Sequence, residues 1–260
     1  MDGTMNILLN GYAGQMGRAV CQLCSGGSVS ISAGVDPNLS EAAFPTYKSF
    51  EECTVDGNVD AIIDFSNHAS THSLASFAEK HGLPTVIATT GHTEEERLLI
   101  QELSAKVPVF FSSNYSFGVA VLLKVCKEVA ALIGGEADIE IIEKHHNRKV
   151  DAPSGTALSI ARGMQQQIDH STELVFDRSS RHTRRSQNEI GISSVRAGNI
   201  VGEHEVLFCW GDEMLSLKHN ANNRIVFAEG AIRAARFLMN KKHGLYTMDD
   251  MISEYLSRME

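Results

Sequence analysis

The segment Asn6-Ile-Leu-Leu-Asn-Gly-Tyr-Ala-Gly-Gln-Met-Gly17 sets the architecture of the N-terminal half of the chain. Its first half is a short apolar run that is typical of a buried strand, and Arg18 to Cys24 continue it with a helical pattern. Gly11, Gly14 and Gly17 lie between strand and helix. Glycines there permit a tight turn and a close approach of a pyrophosphate to the backbone. We therefore predict a dinucleotide-binding βαβ unit, although the spacing G-x-x-G-x-x-G departs from the usual G-x-G-x-x-G.

A second strand, Val29 to Val35, runs into Asp36. Dinucleotide-binding folds place an acidic residue about 20 positions after the glycine turn, where it binds the adenosine ribose hydroxyls. Pro37 follows Asp36, and no arginine stands next to this acid to bind a 2′-phosphate. This favours NADH over NADPH. The residues expected to contact this part of the cofactor are Gly11, Tyr12, Ala13, Gly14, Gln15, Met16, Gly17 and Asp36.

Strand and helix patterns then alternate. Val59 to Phe65, Pro84 to Ala88 and Val107 to Phe111 are predicted strands, and Thr71 to His81 is a predicted helix. Such alternation indicates parallel βαβ units. Ligands of open α/β sheets bind beyond the carboxyl ends of the strands, so the loops after the last two strands are candidates for the nicotinamide end. Ordinary polar connections are the alternative interpretation of these loops. The candidate residues are Ala88, Thr89, Thr90, Ser112, Ser113, Asn114 and Tyr115.

The segment Glu143-Lys-His-His-Asn-Arg-Lys-Val-Asp-Ala-Pro-Ser-Gly-Thr-Ala157 holds the densest group of chemically active side chains. An alternating apolar run around Ile139 precedes it and predicts a half-buried strand. Ser154 is expected to cap a helix, whose first amides would include those of Gly155 and Thr156. The free N–H groups and the dipole of a helix N-terminus attract a carboxylate or a phosphate.

The same segment contributes His145, His146 and Lys149, which we expect to crowd protonatable groups along the edge of this helix. Solvated surface is the alternative interpretation, since histidine pairs and basic loops are usually exposed. The density of these groups favours a site. The segment therefore predicts a binding site for an acidic substrate, with groups nearby that can supply protons.

The pattern changes in the remainder of the chain. Gly118 to Leu132 is a predicted helix that leads out of the nucleotide-binding domain. Glu173 to Phe227 carries several alternating runs, with a hairpin expected at Gly211-Asp212, and predicts a mixed or antiparallel sheet. Helical patterns return from Glu229 and again near Met248 to Arg258.

The composition limits the classes of function. A formal charge of −9 over 260 residues argues against a nucleic-acid surface, and no apolar run reaches membrane-spanning length. The N-terminus has no signal-peptide pattern, and the five cysteines are scattered, so we expect reduced thiols and a cytoplasmic protein. Cys21 and Cys24 have no second pair to complete a metal site, and no metal is expected. The basic cluster Arg178 to Arg185 is interpreted first as a solvated loop and second as a contact to the substrate or a subunit.

With these motifs in place, the chain resembles the 4-hydroxy-tetrahydrodipicolinate reductases, also called dihydrodipicolinate reductases, over essentially its whole length. The resemblance implies an α/β fold in which a Rossmann-like nucleotide-binding domain, residues 1–116 and 228–260, carries an inserted α+β domain of mixed sheet. That insertion, residues 117–227, would bind substrate and build a homotetramer. The segments that carry the resemblance are Gly11–Gly17, Thr89–Gly91, Asn114–Ser116, Glu143–Ala157, Val195–His204 and Arg224–Ala231.

The resemblance also implies hydride transfer from NADH or NADPH to a cyclic imine with two carboxylates, with loss of water, in the diaminopimelate route to lysine. By this analogy His145 is the proton donor and acceptor and Lys149 is the proton donor. His146 and the amides of Gly155 and Thr156 would bind the substrate. The implied partner is this small dicarboxylate, with no nucleic acid and no membrane.

Three other functions remain as alternatives. The first is a related NAD-dependent amino-acid dehydrogenase of the same two-domain build. The second is a nucleotide-binding sensor without catalysis, which would not need clustered proton donors. The third, a DNA-binding regulator, conflicts with the acidic charge. Two departures from the family pattern, Pro37 and the turn Ser66-Asn67-His68 without an arginine, weigh against NADPH as the cofactor.

Overall fold

The computed structural model describes residues 4–54, 58–179 and 181–258. The strands, in chain order, are β1 (Met5–Asn10), β2 (Val29–Val35), β3 (Thr46–Tyr47), β4 (Ala61–Asp64), β5 (Thr85–Ile87), β6 (Pro108–Phe111), β7 (Asp138–His145), β8 (Glu173–Phe176), β9 (Glu189–Arg196), β10 (Gly202–Trp210), β11 (Glu213–Ala221) and β12 (Gly244–Tyr246). The helices are α1 (Gln15–Cys24), α2 (Thr71–His81), α3 (Glu94–Ser104), α4 (Phe117–Ile133), α5 (Gly155–Gln165), α6 (Ile225–Leu238) and α7 (Met248–Ser257), with a 3₁₀ turn at His68–Ser70.

The chain forms two compact units. The first unit runs to Phe117 and resumes at Arg224, and the second unit is Gly118–Asn223. The domains expected from the sequence are 1–116 with 228–260, and 117–227, and their assigned roles stay a prediction. Residues 1–3, 55–57, 259 and 260 of the predicted nucleotide-binding domain lie outside the described residues.

The first unit is built on a parallel sheet of the order β12-β6-β5-β4-β1-β2-β3. Parallel sheets are covered by helices, so their strands are apolar throughout. Leu8 and Ile62 of the sheet pack with Leu74 of α2 and Ile100 of α3 in one buried cluster. The predicted Rossmann-like α/β fold is confirmed.

Helix α6 packs on β4, β5, β6 and α1 because its inward side chains are small. Ala228 and Ala231 are fully buried, and a Cβ atom on Gly230 would lie 1.6 Å from the carbonyl oxygen of Tyr115. The predicted extent of the strand-like region, to Phe227, is wrong, since β11 ends at Ala221 and α6 begins four residues before the predicted start. A short apolar run at a helix start cannot be told from a strand by periodicity alone.

The second unit holds a mixed sheet of the order β11-β10-β7-β9-β8. Strand β10 is antiparallel to β7 and β11, whereas β9 is parallel to β7 and β8. Helices α4 and α5 cover one face, and Ile141 and Phe208 of the sheet pack there with Leu122 and Ile160 of the helices. The predicted hairpin is present between β10 and β11, with Gly211 in the left-handed region at φ 52°.

The interpretation of Arg178 to Arg185 as a solvated loop is wrong for Arg178 and Arg185, whose side chains bind acidic residues. The guanidinium group of Arg185 donates hydrogen bonds to Glu140 (3.0 Å), Asp138 (2.7 Å) and the carbonyl oxygen of Ile139 (2.9 Å). Arg178 forms an ion pair with Glu189. The carboxylates of neighbouring strands bind these cations, a pairing between distant residues that the local sequence does not reveal. Ser180, within this cluster, lies outside the described residues.

The structure contains no disulfide among the described cysteines and no membrane-spanning helix among the described residues. Each of Cys21, Cys24, Cys53, Cys126 and Cys209 is a free thiol. Over residues 4–54, 58–179 and 181–258, none of the helices combines the length and the apolar character that a bilayer crossing demands.

Candidate active site

On the second sheet, a row of polar side chains lies next to the buried apolar residues of the same face. Glu143 on β7 lies opposite His204 on β10, and His204 lies opposite His219 on β11. Alternate residues of a strand share one face. Glu143 therefore faces the same way as buried Ile141, two residues earlier, and the polar row closes one end of the core beneath α4 and α5.

Glu143, which lies next to His204 in this row, is fully buried. Arg196 binds both of its carboxylate oxygens, at 2.8 and 2.7 Å, and the backbone N–H of Ser154 donates to Oε1 at 3.1 Å. His145 Nδ1 lies 2.6 Å from Oε2. Burial opposes ionisation, but the hydrogen bonds from His145 and Arg196 outweigh it and hold the pKa of Glu143 well below its usual range. Glu143 is therefore ionised at neutral pH.

His145 ends β7 with its two ring nitrogens in different surroundings. Nδ1 faces Glu143, whereas Nε2 lies 3.2 Å from the position that a Cβ atom on Gly202 would occupy. The ring is 5.2 Å, between centroids, from that of His204. Because Nδ1 is held by the carboxylate, Nε2 is the nitrogen that can exchange a proton with a ligand.

His204 links this row to helix α5. Its Nε2 lies 3.1 Å from Ser154 Oγ, and its side chain is buried. Burial, followed by the charge of His145, lowers the pKa of His204 to about 4. His204 is therefore neutral at pH 7 and acts as a hydrogen-bonding partner of Ser154.

This depressed pKa predicts acid sensitivity of the fold. The unfolded chain protonates His204 near pH 6.5, whereas the folded chain does so only near pH 4, so stability falls as the pH drops through this window. Between about pH 7.5 and about pH 5, the wild-type protein should lose about 2 kcal/mol more unfolding free energy than His204→Gln. Urea titrations of both proteins at the two pH values measure this difference. Equal losses would contradict the assigned environment of His204.

The start of α5 has the predicted N-cap. Ser154 Oγ accepts a hydrogen bond from the N–H of Ala157 at 3.1 Å. A Cβ atom on Gly155 would meet no atom within 4 Å, so the backbone here is open to a ligand. Thr156 follows, half-buried, in the first turn of the helix. The binding role of Gly155 and Thr156 stays a prediction.

The loop between β7 and α5 carries Lys149, whose Nζ lies 2.9 Å from Asp151 Oδ1. The N–H of Lys149 donates to the carbonyl oxygen of half-buried His146 at 3.1 Å. Arg196 donates to the carbonyl oxygen of Asp151 at 2.5 Å, so the arginine that binds Glu143 also anchors this loop. The predicted catalytic and substrate-binding residues thus lie between the end of β7 and the first turn of α5, and their roles stay a prediction.

In the first unit, the glycine turn is packed closely against neighbouring backbone, and its role in binding a pyrophosphate stays a prediction. Gly11 has φ 81°, and a Cβ atom there would lie 2.7 Å from the carbonyl group of Phe65. Gly14 occupies the N-cap position of α1 and has no side chain to cap its first amides. On Gly17 a Cβ atom would lie 2.1 Å from the carbonyl oxygen of Gly11. Asp36 stands directly after β2, and its Oδ2 accepts a hydrogen bond from the N–H of Ala13 at 3.2 Å.

Two residues predicted to contact the cofactor use their side chains in packing instead. The Tyr12 hydroxyl accepts a hydrogen bond from the N–H of Ser40 at 2.9 Å. The buried Tyr115 hydroxyl donates to the carbonyl oxygen of Ile87 at 2.8 Å, and burial raises its pKa. Any contact of Tyr12 or Tyr115 with a nucleotide is therefore expected through the backbone.

The other predicted contacts of the first unit follow β5 and β6, or lie in the glycine turn and at the start of α1. Thr89 is buried and its hydroxyl donates to Asp64 at 3.2 Å, while Asn114 Oδ1 accepts from the N–H of Ser116 at 2.8 Å. Asp64 ends β4, and burial raises its pKa against the hydrogen bonds of its neighbours. Of the remaining positions, Gln15, Thr90 and Ser113 are exposed, and Ala13, Met16, Ala88 and Ser112 are half-buried.

Three residues of the site were missed by sequence reasoning: Glu143, Arg196 and His204. Glu143 belongs to the segment in which the site was predicted, and the other two belong to Val195–His204, which the sequence marks only by its similarity to the family. Their roles depend on which strands pair, and the spacing of residues in one chain does not show this.

Comparison with known proteins supplies the family. The family model described as dihydrodipicolinate reductase, N-terminus, matches residues 5–115, and that described as dihydrodipicolinate reductase, C-terminus, matches residues 118–252. The chain belongs to the dihydrodipicolinate reductase family. The matched ranges include the glycine turn, the Glu143–Ala157 segment and the Arg196–His204 region.

Relatives within the dihydrodipicolinate reductase family are similar over nearly their full length. The 4-hydroxy-tetrahydrodipicolinate reductase of Caldanaerobacter subterraneus subsp. tengcongensis is 43% identical, covering 96% of this chain and 99% of the relative. That of Clostridium novyi is 42% identical, covering 95% and 97%. Among solved structures, a dipicolinate-bound dihydrodipicolinate reductase from Paenisporosarcina sp. TG-14 shares the fold, with a TM-score of 0.75, 22% identity, and 94% and 97% coverage.

Proposed function

We propose that this chain reduces 4-hydroxy-tetrahydrodipicolinate to tetrahydrodipicolinate with a nicotinamide dinucleotide, with loss of water, in the diaminopimelate route to lysine. The observation that carries this function is the 43% identity to a reductase of that name over 96% of the chain. The geometry supports it, since an open helix start, two histidines and a lysine suit a dicarboxylic substrate that must be protonated.

Binding of the substrate is assigned to the N-terminus of α5. The amides of Gly155 and Thr156 would receive one carboxylate, and His146 and Lys149 would supply charged or polar donors. The Paenisporosarcina reductase is dipicolinate-bound, and dipicolinate is a planar dicarboxylate. We infer that the same class of anion binds here.

Proton delivery is assigned to two side chains. Addition of a hydride to a conjugated imine leaves negative charge on the substrate, which an acid must neutralise. Lys149 supplies that proton, and His145 accepts or donates one through Nε2, the nitrogen that Glu143 leaves open. The bound nicotinamide would supply the hydride. Its pyrophosphate would be held by the Gly11–Gly17 turn and its adenosine ribose by Asp36.

The preferred cofactor is assigned to be NADH. Asp36 is an acceptor for ribose hydroxyls and would repel a 2′-phosphate, and Pro37 brings no positive charge. The Michaelis constant for NADH is expected to be lower than that for NADPH. Initial rates at varied concentrations of each cofactor measure both constants. A tenfold preference for NADPH would refute this assignment.

A homotetramer is proposed from the family resemblance and from one face of the second sheet. The side chains of Val195 and Met214, on β9 and β11, are 40% and 64% exposed, and Leu207 and Cys209 are half-buried on the strand between β11 and β7. Apolar residues that are exposed together on one face of a sheet are expected at contacts between subunits. Light scattering should give the mass of four chains, and the mass of one chain would exclude the tetramer. Cytoplasmic localisation is proposed on the basis of the scattered, free cysteines.

A coupled assay tests the function. The upstream synthase generates the imine from pyruvate and aspartate semialdehyde, and the consumption of NADH and NADPH is then followed separately. Cofactor oxidation that requires both the synthase and this protein supports the proposal. Oxidation of a free amino acid, with no response to the imine, would favour the amino-acid dehydrogenase instead.

A further inference from the structure

We propose that Glu143 is a positioning residue for the reaction: it fixes the tautomer of His145 and, with Arg196, holds that ring and the start of α5 in one rigid arrangement. This inference rests on the proposed function for its kinetic consequence. Its structural part, the tautomer of His145, stands independently of any substrate.

Both carboxylate oxygens of Glu143 accept hydrogen bonds. Oε1 receives the N–H of Ser154 and one nitrogen of Arg196, and Oε2 receives the other arginine nitrogen. Oε2 also lies 2.6 Å from His145 Nδ1, and the Ser194 side chain forms a further hydrogen bond with the carboxylate. An ionised carboxylate has only acceptor sites, so Nδ1 must carry the proton and act as the donor.

The proton on Nδ1 determines what Nε2 can do. In the neutral ring, Nε2 is then the unprotonated nitrogen, able to accept a proton from a ligand and later return it. The absence of a side chain at Gly202 leaves room beside this nitrogen, since a Cβ atom there would lie 3.2 Å away. A partner carboxylate that fixes an imidazole tautomer has the same role in Ser-His-Asp triads, where its loss leaves the wrong tautomer.

The other charged and titratable groups near His145 support this arrangement. His204, on the adjacent strand, is kept uncharged at pH 7 by burial, which lowers its pKa, and it forms a hydrogen bond with Ser154 Oγ rather than with Glu143. Arg196 is the cation that balances Glu143, and its second contact, to the carbonyl oxygen of Asp151, ties the Lys149 loop to the same carboxylate. One buried charge thus positions the proton-exchanging ring, the loop lysine and the N-cap of α5.

The first experiment observes the tautomer directly. Long-range ¹⁵N–¹H spectra of protein labelled at histidine nitrogens distinguish Nδ1–H from Nε2–H rings, and His145→Gln identifies the signals of His145 among the 11 histidines. The wild-type ring is expected to be Nδ1–H when neutral. In Glu143→Gln, an NH₂ group in place of Oε2 could not accept the Nδ1 proton, so the His145 signals are expected to shift toward the Nε2–H form. Glu203→Gln, which alters a carboxylate paired with Lys144 and Lys218, is the matched control.

The second experiment measures turnover with the imine. Glu143→Gln is expected to lower kcat by about 100-fold, with little change in the Michaelis constant for NADH. Arg196→Lys keeps the charge but loses the bidentate contact, and it is expected to give a smaller loss of kcat. A thermal melt shows whether each variant is folded, and NADH binding, measured by fluorescence, shows that the first unit keeps its cofactor site.

The outcomes separate the two proposals. A shifted tautomer together with a low kcat supports the positioning role. An unchanged tautomer in folded Glu143→Gln, or a kcat within about twofold of wild type, overturns it. If the wild-type protein does not reduce the imine, the proposed function fails, while the spectra still decide whether Glu143 fixes the ring.

Discussion

Replacement of Lys149 by alanine is expected to lower turnover by about 10²- to 10⁴-fold, the range found when a general acid is lost. Lys149 stands in the loop before α5, paired with Asp151 at 2.9 Å, and its side chain is 22% exposed, so it is held in place yet accessible to a ligand. Its loss removes both a proton source and a cation for a substrate carboxylate. His145→Ala, which removes the imidazole next to Glu143, is expected to give a loss of the same order.

Steady-state kinetics in the coupled assay measure both losses, and NADH fluorescence measures cofactor binding, which should stay nearly intact. Lys144→Ala is the matched control. Lys144 precedes His145 on β7 but pairs with Glu203 at 3.2 Å, and its neighbours along the strand place it on the other face of the sheet. The control should retain turnover. Near-normal turnover of Lys149→Ala or His145→Ala would show that the role assigned to that residue is wrong.

Gly17→Ala is expected to abolish cofactor binding at concentrations that saturate the wild-type protein. The added Cβ atom would lie 2.1 Å from the carbonyl oxygen of Gly11 and 2.6 Å from Tyr12 Cα, and both are backbone atoms of the turn. The turn and α1 must move apart to admit a methyl group, and the amides at the start of α1 then lose their arrangement around a pyrophosphate.

Calorimetric titration with NADH measures this loss, and a thermal melt shows whether the variant is folded. Gly135→Ala is the control, because a Cβ atom there makes only an ordinary contact, 3.7 Å from Asp169 Oδ1. Folded Gly17→Ala that binds NADH with wild-type affinity would exclude this turn as the pyrophosphate site.

Much of the fold follows from local pattern. Strand β2 and helix α2 have the bounds predicted from the sequence, and Ser154 caps α5 as expected. These elements could be predicted because the residues that determine each of them lie close together in the sequence. At Ile225 the prediction was wrong, because a short apolar run shows no period that separates helix from strand.

The candidate site was predicted only in part, because its contacts join distant residues. His145 and Lys149 lie in one segment, but Arg196 reaches Glu143 across 53 positions through the pairing of β7 with β9. Tyr12 and Tyr115 were predicted to contact the cofactor because they lie in the glycine turn and after a strand end. Their hydroxyl groups instead form hydrogen bonds with the backbone of Ser40 and Ile87, which local sequence does not predict. Register and burial decide these contacts, and both require the whole fold.

The central claim is that a dicarboxylate binds at the start of α5 beside the residues that exchange protons. A crystal structure of this protein soaked with dipicolinate tests it most directly. The expected result is density for one carboxylate at the amides of Gly155 and Thr156, with His146 and Lys149 within hydrogen-bonding distance and His145 Nε2 facing the ring. Dipicolinate bound at another place, with the start of α5 unoccupied, would contradict the account.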